Sequence, residues 1–296
     1  MVLGAVSERD AFSCLRELDA HARGLELPSG LSLTWLGTAG YAFSYQGYTL
    51  LIDPYVSRAR FRDVLLRKRL TSDAARLQRF VPRANAILVG HTHFDHALDV
   101  PAIARRDGCK VYGSRSLATL MRLHGLTEQA VEIEHGARRE LGPFEVTFVG
   151  SLHAKLALGL AVPNDGEITC EHVSALTAGA FRCGAVYAMH IRVAGASFYH
   201  QGSANLIEEQ IPFRGVDYLI MGIAGRRFTR DYTARTVRAL DPHVIIPTHH
   251  DDFFQPLDAP MGFSFNVRFD RFVEEAARVS RALPLRTLEA LKPLGR

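Results

Sequence analysis

The chain has 296 residues, 47% hydrophobic and 22% charged, enough apolar content for a sizeable core beneath an ordinary globular surface. Its formal charge of +4 comes from scattered Lys and Arg without a basic run, which argues against a nucleic-acid groove. No continuous apolar stretch is long enough for a spanning helix, and Glu8 and Asp10 interrupt the place where a secretory signal would need its apolar core. A cytoplasmic protein with no membrane span is expected, and Cys14, Cys109, Cys170 and Cys183, which show no CxxC spacing, are expected to be reduced thiols.

Residues 5–22 read as a helix, with Phe12, Leu15 and Leu18 at helical spacing and Gly24 as its stop. LSLTWLG, GYAFSYQ and YTLLIDP follow as an antiparallel meander, split by glycine-containing turns. Residues 58–80 are helical in pattern and end before Pro82, and ANAILVG is a buried strand. DVPAIARRDG and SLATLMRLHG predict helices on either side of the strand CKVYGS. VEIEH, RELGP and FEVTFVG are three more strands, and residues 154–184 form an irregular excursion. AVYAMHIRVAG and ASFYHQG then make a hairpin, NLIEEQI a short helix, VDYLIMG a strand, TARTVRAL a helix and HVIIP a strand. FNVRFDRFVEEAARVSRAL closes the chain as an amphipathic helix. Strands in runs in each half, with helices between and after them, suit two stacked sheets with helices outside, in one layered α/β domain.

The chemistry gathers in GHTHFDHALD, where His91, His93, Asp95 and His96 follow the strand ANAILVG directly. Residues two apart in an extended segment point the same way, so His91 and His93 can grip one cation. A turn into the next helix re-aims Asp95 and His96 toward a second, at the roughly 3.5–4 Å separation of two-metal hydrolysis. Two sites need further ligands, and His153 and His249 each stand just after a predicted strand, where a sheet fixes the backbone and a loop exposes the side chain. His91, His93 and His153 would form one site, and Asp95, His96 and His249 the other. His249 is preferred over His250 because neighbouring strand-end residues face opposite ways.

With these residues assembled, the chain from about residue 30 onward resembles the metallo-β-lactamase superfamily. GTAGYAFSYQGYTLLIDPY is similar to the family's first strands, ending in Asp53 and Pro54, and HTHFDH is similar to its diagnostic metal loop. His153 matches the third motif and His249 the last. The resemblance implies a four-layer αββα sandwich over residues 29–296, with residues 1–28 an N-terminal helical extension. The IDPY and PTHHDDFF segments look most like the branch of L-ascorbate-6-phosphate lactonase and N-acyl phosphatidylethanolamine phospholipase D. The resemblance also implies a bridging Asp after the strand ASFYH, but Ser203 stands at the matching position, which weakens the second site and leaves the pair without a bridging carboxylate.

The expected activity is hydrolysis of a small-molecule ester, lactone or phosphodiester by a metal-activated water, with two zinc ions and Mn or Fe as alternatives. Asp95 is the expected catalytic carboxylate, and Asp53 the acceptor that holds a ligand imidazole. Tyr199, His200, Arg226 and Arg227 are candidate substrate contacts, the arginines for an anionic group. Leu156, Leu158, Leu160 and Val162 either wall the metal mouth or complete the core. The alternatives are a non-catalytic metal or ligand-binding protein disabled by Ser203 and, behind it, a nuclease.

Overall fold

The computed structural model describes residues 24–155, 160–264 and 267–295, so the helix expected over residues 5–22 lies outside the described residues. The expected meander forms: β1 (Ser32–Trp35), β2 (Tyr41–Tyr45) and β3 (Tyr48–Ile52) pair antiparallel. Gln46 and Gly47 join β2 to β3 with φ of 48° and 76°, the left-handed pair whose twist suits a two-residue hairpin. Helical crossovers then add β4 (Ala86–Leu88), β5 (Lys110–Gly113) and β6 (Ala130–Glu132), each parallel to the strand before it.

The second sheet is built from β7 (Arg138–Leu141), β8 (Phe144–Leu152), β9 (Val186–Val193), β10 (Ala196–Gln201), β11 (Asn205–Leu206), β12 (Tyr218–Gly222) and β13 (Val244–Thr248). Its order is β11-β8-β9-β10-β12-β13, with β7 also paired to β8. The hairpin of β9 and β10 is antiparallel as expected, whereas β10, β12 and β13 run parallel.

Period-two alternation sorts the strands' side chains into layers. Leu50, Ile52, Leu88, Phe148, Phe198, Ile220 and Ile246 belong to the core between the sheets. Leu51, Ile87 and Val111 point the other way, onto Ile103, Leu117 and Leu120 of the helices Val100–Asp107 and Arg115–Leu123. Tyr199, Leu219, Met221 and Ile245 pack outward against Tyr232, Val237, Phe269 and Phe272 of the helices Tyr232–Leu240 and Phe269–Val279. Helix, sheet, sheet and helix therefore stack as four layers. Among the described residues, no helix is long and apolar enough to cross a membrane.

Three local expectations change. Residues 58–80 form two helices, Phe61–Leu65 and Ala74–Phe80, because Arg67 takes φ of 51° and Leu70 turns inward to donate its N–H to Leu176. Asp73 then caps the second helix by accepting from the Arg76 N–H. NLIEEQI makes no α-helix: Asn205 and Leu206 pair with β8, leaving only a 3₁₀ turn over Glu208–Gln210 before Pro212. In the excursion, Leu160 is 77% exposed, so it does not complete the core, and Val162 is half-buried; Leu156 and Leu158 lie outside the described residues.

The two sheets are tied together beside β13. The Thr38 carbonyl accepts from Trp35 Nε1 at 3.0 Å, Thr248 Oγ1 at 2.6 Å and the His249 N–H at 2.9 Å. Asp251 accepts from the Thr38 N–H at 2.9 Å and pairs with buried Arg58 at 2.8 Å. Gly37 is required here: it has φ of 78°, and a Cβ would lie 1.7 Å from the Arg58 guanidinium. Removing one partner of a buried pair strands the other charge. Arg58→Leu is therefore expected to lower unfolding stability by roughly 3–5 kcal/mol in urea titrations. Arg79→Ala, which breaks the exposed pair with Asp258, should change it by under about 1 kcal/mol.

Candidate metal centre

β3 and β4 of one sheet, and β8, β10 and β13 of the other, deliver their carboxyl ends to one edge of the sandwich. Asp53 follows β3, His91 follows β4 through Gly90, His153 follows β8, Ser203 follows β10 and His249 follows β13. Gly90 is the close approach that permits this: its N–H donates to Asp53 Oδ1 at 2.7 Å, and a Cβ would sit 3.1 Å from Asp53 Oδ2 and the Tyr187 carbonyl. His93 is extended (φ −60°, ψ 151°) and caps the short helix Phe94–Ala97, whose turn buries Asp95 and His96 beside it.

The imidazoles converge as the spacing predicts. His91 Nε2 and His93 Nδ1 lie 3.0 Å apart, and the His153 ring centre is 5.0 Å from that of His91 and 4.7 Å from that of His93. Asp95 Oδ2 is 3.2 Å from His249 Nε2 and 3.9 Å from His96 Nε2. Asp95, His96 and His249 present ligand atoms all within 4.8 Å of one another.

The outer nitrogens decide the tautomers. A carbonyl can only accept, so His93 Nε2, 2.8 Å from the Pro163 oxygen, carries a hydrogen and leaves Nδ1 bare. His153 Nδ1 is likewise committed to the Ala154 carbonyl at 2.7 Å, and His96 Nδ1 to Asp53 Oδ2 at 2.8 Å. Three inner nitrogens thus keep lone pairs for a ligand, the arrangement that metal-binding imidazoles require. Burial is the main cause that pushes His91, His93 and His153 below the ordinary imidazole range, His153 to about 3. For Asp95, burial acts upward but the surrounding His96, His249 and His93 outweigh it and hold the carboxyl well below its usual value. His96 goes the other way: burial acts downward, but Asp53 and Asp95 outweigh it and hold the ring above the ordinary imidazole range. Neutral His91, His93 and His153 and an ionised Asp95 are the protonation states a divalent cation needs, so these residues fit a metal.

The structure separates the remaining candidates. His249 takes φ of 57° and faces the cleft, whereas His250 is fully buried and stacks on Trp35 at 4.8 Å. Tyr199 and His200, expected at the cleft, do not reach it. Tyr199 points outward into the core beneath the helices, and His200 faces inward, where its Nε2 is 2.8 Å from the Ala39 carbonyl. Arg226, expected to meet an anion, is 5% exposed and is consumed by Glu275 at 3.0 Å and by the carbonyls of Val267 and Arg268. Arg227 does line the cleft, together with Ser203, whose Oγ accepts from the Ala154 N–H at 3.4 Å. Asp251 is engaged by Arg58 and Thr38 and does not line the cleft.

Two contributors escaped the sequence. The Pro163 carbonyl comes from the irregular excursion, and nothing in its composition signals that role. Cys183 ends the same excursion, and its Sγ lies within 4.8 Å of ligand atoms of both His91 and His93. Cys183 does not line the cleft, and burial pushes its thiol up to about 12. Its distance from the HTHFDH loop in sequence hid it.

Comparison with known proteins identifies the family and the fold. The family model described as "Beta-lactamase superfamily domain" matches residues 32–249. A "UPF0173 metal-dependent hydrolase" of Anaeromyxobacter sp. (strain K) is 27% identical over 232 residues, 75% of each chain. A protein of the same description from Anaeromyxobacter dehalogenans is 26% identical over 274 residues, 89% of this chain and 86% of its own. Among solved structures, Igni18, described as a novel metallo hydrolase of Ignicoccus hospitalis, superposes with a TM-score of 0.58 at 15% identity. That match covers 89% of this chain and 97% of the other, and it shows a shared fold.

The assignment of inner and outer nitrogens can be checked by metal analysis of purified variants. His249→Ala should lose metal, and His250→Phe, which keeps the stack on Trp35, should retain the wild-type content. Asp53→Asn should keep the ligands yet weaken metal affinity roughly 10–100-fold in chelator competition. Full metal retention in His249→Ala would remove that residue from the site.

Proposed function

The chain belongs to the metallo-β-lactamase superfamily, and from that premise we propose that it is a metal-dependent hydrolase of small-molecule esters, lactones or phosphodiesters. One observation carries the reading: bare imidazole nitrogens and the Asp95 carboxylate converge at the floor of a cleft of about 660 Å³. We take His91, His93 and His153 as one metal site and Asp95, His96 and His249 as the other. Divalent cations bound there, zinc first and Mn or Fe as alternatives, would supply a more acidic water and a polarised acceptor bond.

The chain's own groups do the rest. Asp53 holds the His96 ring by its outer nitrogen, while the Pro163 and Ala154 carbonyls hold His93 and His153, so no donor has to reorient during turnover. Asp95 lines the cleft and is the proposed proton carrier, taking a proton from the attacking water and passing it to the leaving group. Arg227, on the cleft wall, is the proposed contact for an anionic part of the substrate. The relatives' description as metal-dependent hydrolases supports this reading.

Ser203 supports a second reading, a metal-binding protein without turnover, because the cleft wall carries a hydroxyl where the family resemblance implies a bridging carboxylate. Metal content and a panel of esters, lactones, phosphodiesters and β-lactams separate the two. Close to two equivalents with turnover supports the enzyme, and Asp95→Asn should then lower kcat by at least a hundredfold. One tightly held equivalent and an inert panel support the binding protein. Ser203→Asp should tighten the second equivalent, and unchanged occupancy would remove Ser203 from the bridging position.

A further inference from the structure

The cleft over the metal centre has an apolar side that the chemistry above does not use. Phe61, Phe94, Phe253 and Phe254 all line it. Their rings touch in sequence: Phe61 lies edge-on to Phe254 at 5.3 Å, Phe254 meets Phe253 at 4.4 Å, and both contact Phe94 at 6.1–6.2 Å. Phe253 then meets the His249 imidazole at 5.9 Å. An unbroken aromatic strip thus runs from Phe61, which is 42% exposed at the surface, down to the metal-facing donors.

None of these four rings is fully buried: Phe94 and Phe253 pack against the helix-side core yet still line the cleft, as do Phe61 and Phe254. Folding has left aromatic area facing a cavity, and apolar area kept in water forfeits about 25 cal/mol per Å². The strip ends on His249, so a molecule whose reacting bond reaches Asp95 can lay an apolar remainder along it. The volume of about 660 Å³ falls within the ordinary range for a small-ligand pocket.

We propose that the substrate carries a non-polar acyl arm of medium length, which lies along Phe61, Phe254, Phe253 and Phe94 while the bond to be cleaved sits at Asp95 and His249. This rests on the hydrolase reading and narrows its substrate class from small esters and lactones in general to acylated ones. The arm's recognition is hydrophobic, so its signature is a dependence on chain length.

The test is calorimetric titration of the metal-loaded protein with straight-chain carboxylates from acetate to decanoate. Each methylene from butyrate to octanoate should tighten binding about fourfold, the factor corresponding to about 0.8 kcal/mol per buried CH₂. The heat-capacity change should grow more negative along the series. Phe254→Ala, verified for fold and metal content, should weaken octanoate binding at least tenfold more than acetate binding. Should that variant not fold, Phe61→Ser probes the exposed end of the strip and should flatten the steps beyond hexanoate. Affinities independent of chain length, or an unchanged slope in a folded variant, would overturn the proposal. So would co-sedimentation with phosphatidylcholine vesicles without chain-length-dependent binding of the monomeric acids, which would assign Phe61 and the neighbouring exposed Leu65 and Leu66 to a lipid surface instead. Chain-length-dependent binding together with an inert hydrolysis panel would sink the hydrolase reading and leave the acyl cleft standing as a binding site.

Discussion

Five imidazoles and a carboxylate packed edge-on and tilted against one another at one sheet edge constrain everything else in this protein. Burying polar nitrogens without partners costs folding free energy, and buried His91 and His93 and half-buried His153 stand at mutual ring distances of 4.7–5.0 Å. The obvious relief, turning each ring toward a carbonyl, has been taken on one side only. Pro163, Ala154 and Asp53 occupy the outer nitrogens, and the inner ones are left aimed at each other. A protein selected for stability alone would not retain that arrangement. A bound cation converts the same lone pairs from a liability into ligands, and the binding free energy is available to offset the cost.

That arrangement survives because the two sheets are locked where the loops meet. His249 arrives from β13 of the second sheet, yet its N–H, the Thr248 hydroxyl and the Trp35 indole all donate to one carbonyl, that of Thr38 in the turn between β1 and β2 of the first sheet. The Arg58–Asp251 pair repeats the tie one residue beyond His250. Asp53 does the same for the metal loop, holding the Gly90 N–H with one oxygen and His96 with the other. The His93, His96 and His153 rings are therefore held by carbonyl or carboxylate contacts on their outer nitrogens, and His249 by its backbone, which is what a preorganised site requires.

The parts of this site legible in the sequence were those governed by local periodicity. HTHFDH could be read because two-residue alternation and a following helix dictate where four side chains go, and His153 and His249 because strand ends can be recognised from apolar runs. The same alternation, applied strictly, would have removed Tyr199: it neighbours Phe198, which faces the inter-sheet core, so it must face the helices. Arg226 and Arg227 could not be told apart, since the choice depends on Glu275 in a helix that packs there only in three dimensions. Residues 154–184 carried no period at all. The Pro163 contact and the nearness of Cys183 exist only because tertiary packing folds that excursion back onto the HTHFDH loop. The aromatic strip was hidden similarly, its members coming from the segments around residues 61, 94 and 253.

Ser203 gives the site its electrostatic character. A carboxylate at that position would add a negative charge to those of Asp95 and Asp252, which line the cleft; a hydroxyl adds none. Arg227 on the same cleft wall shifts the balance further toward positive. The opposite side is phenylalanine, which offers no charge and lowers the local dielectric, so whatever negative charge develops on a substrate at Asp95 and His249 is felt more strongly than it would be in water. A cleft with Arg227 on one wall and aromatic rings on the other suits a ligand with an anion at one end and hydrocarbon at the other. A carboxylate or phosphoryl group joined to an acyl arm has that composition, and the demand arises from the residue types in the cleft.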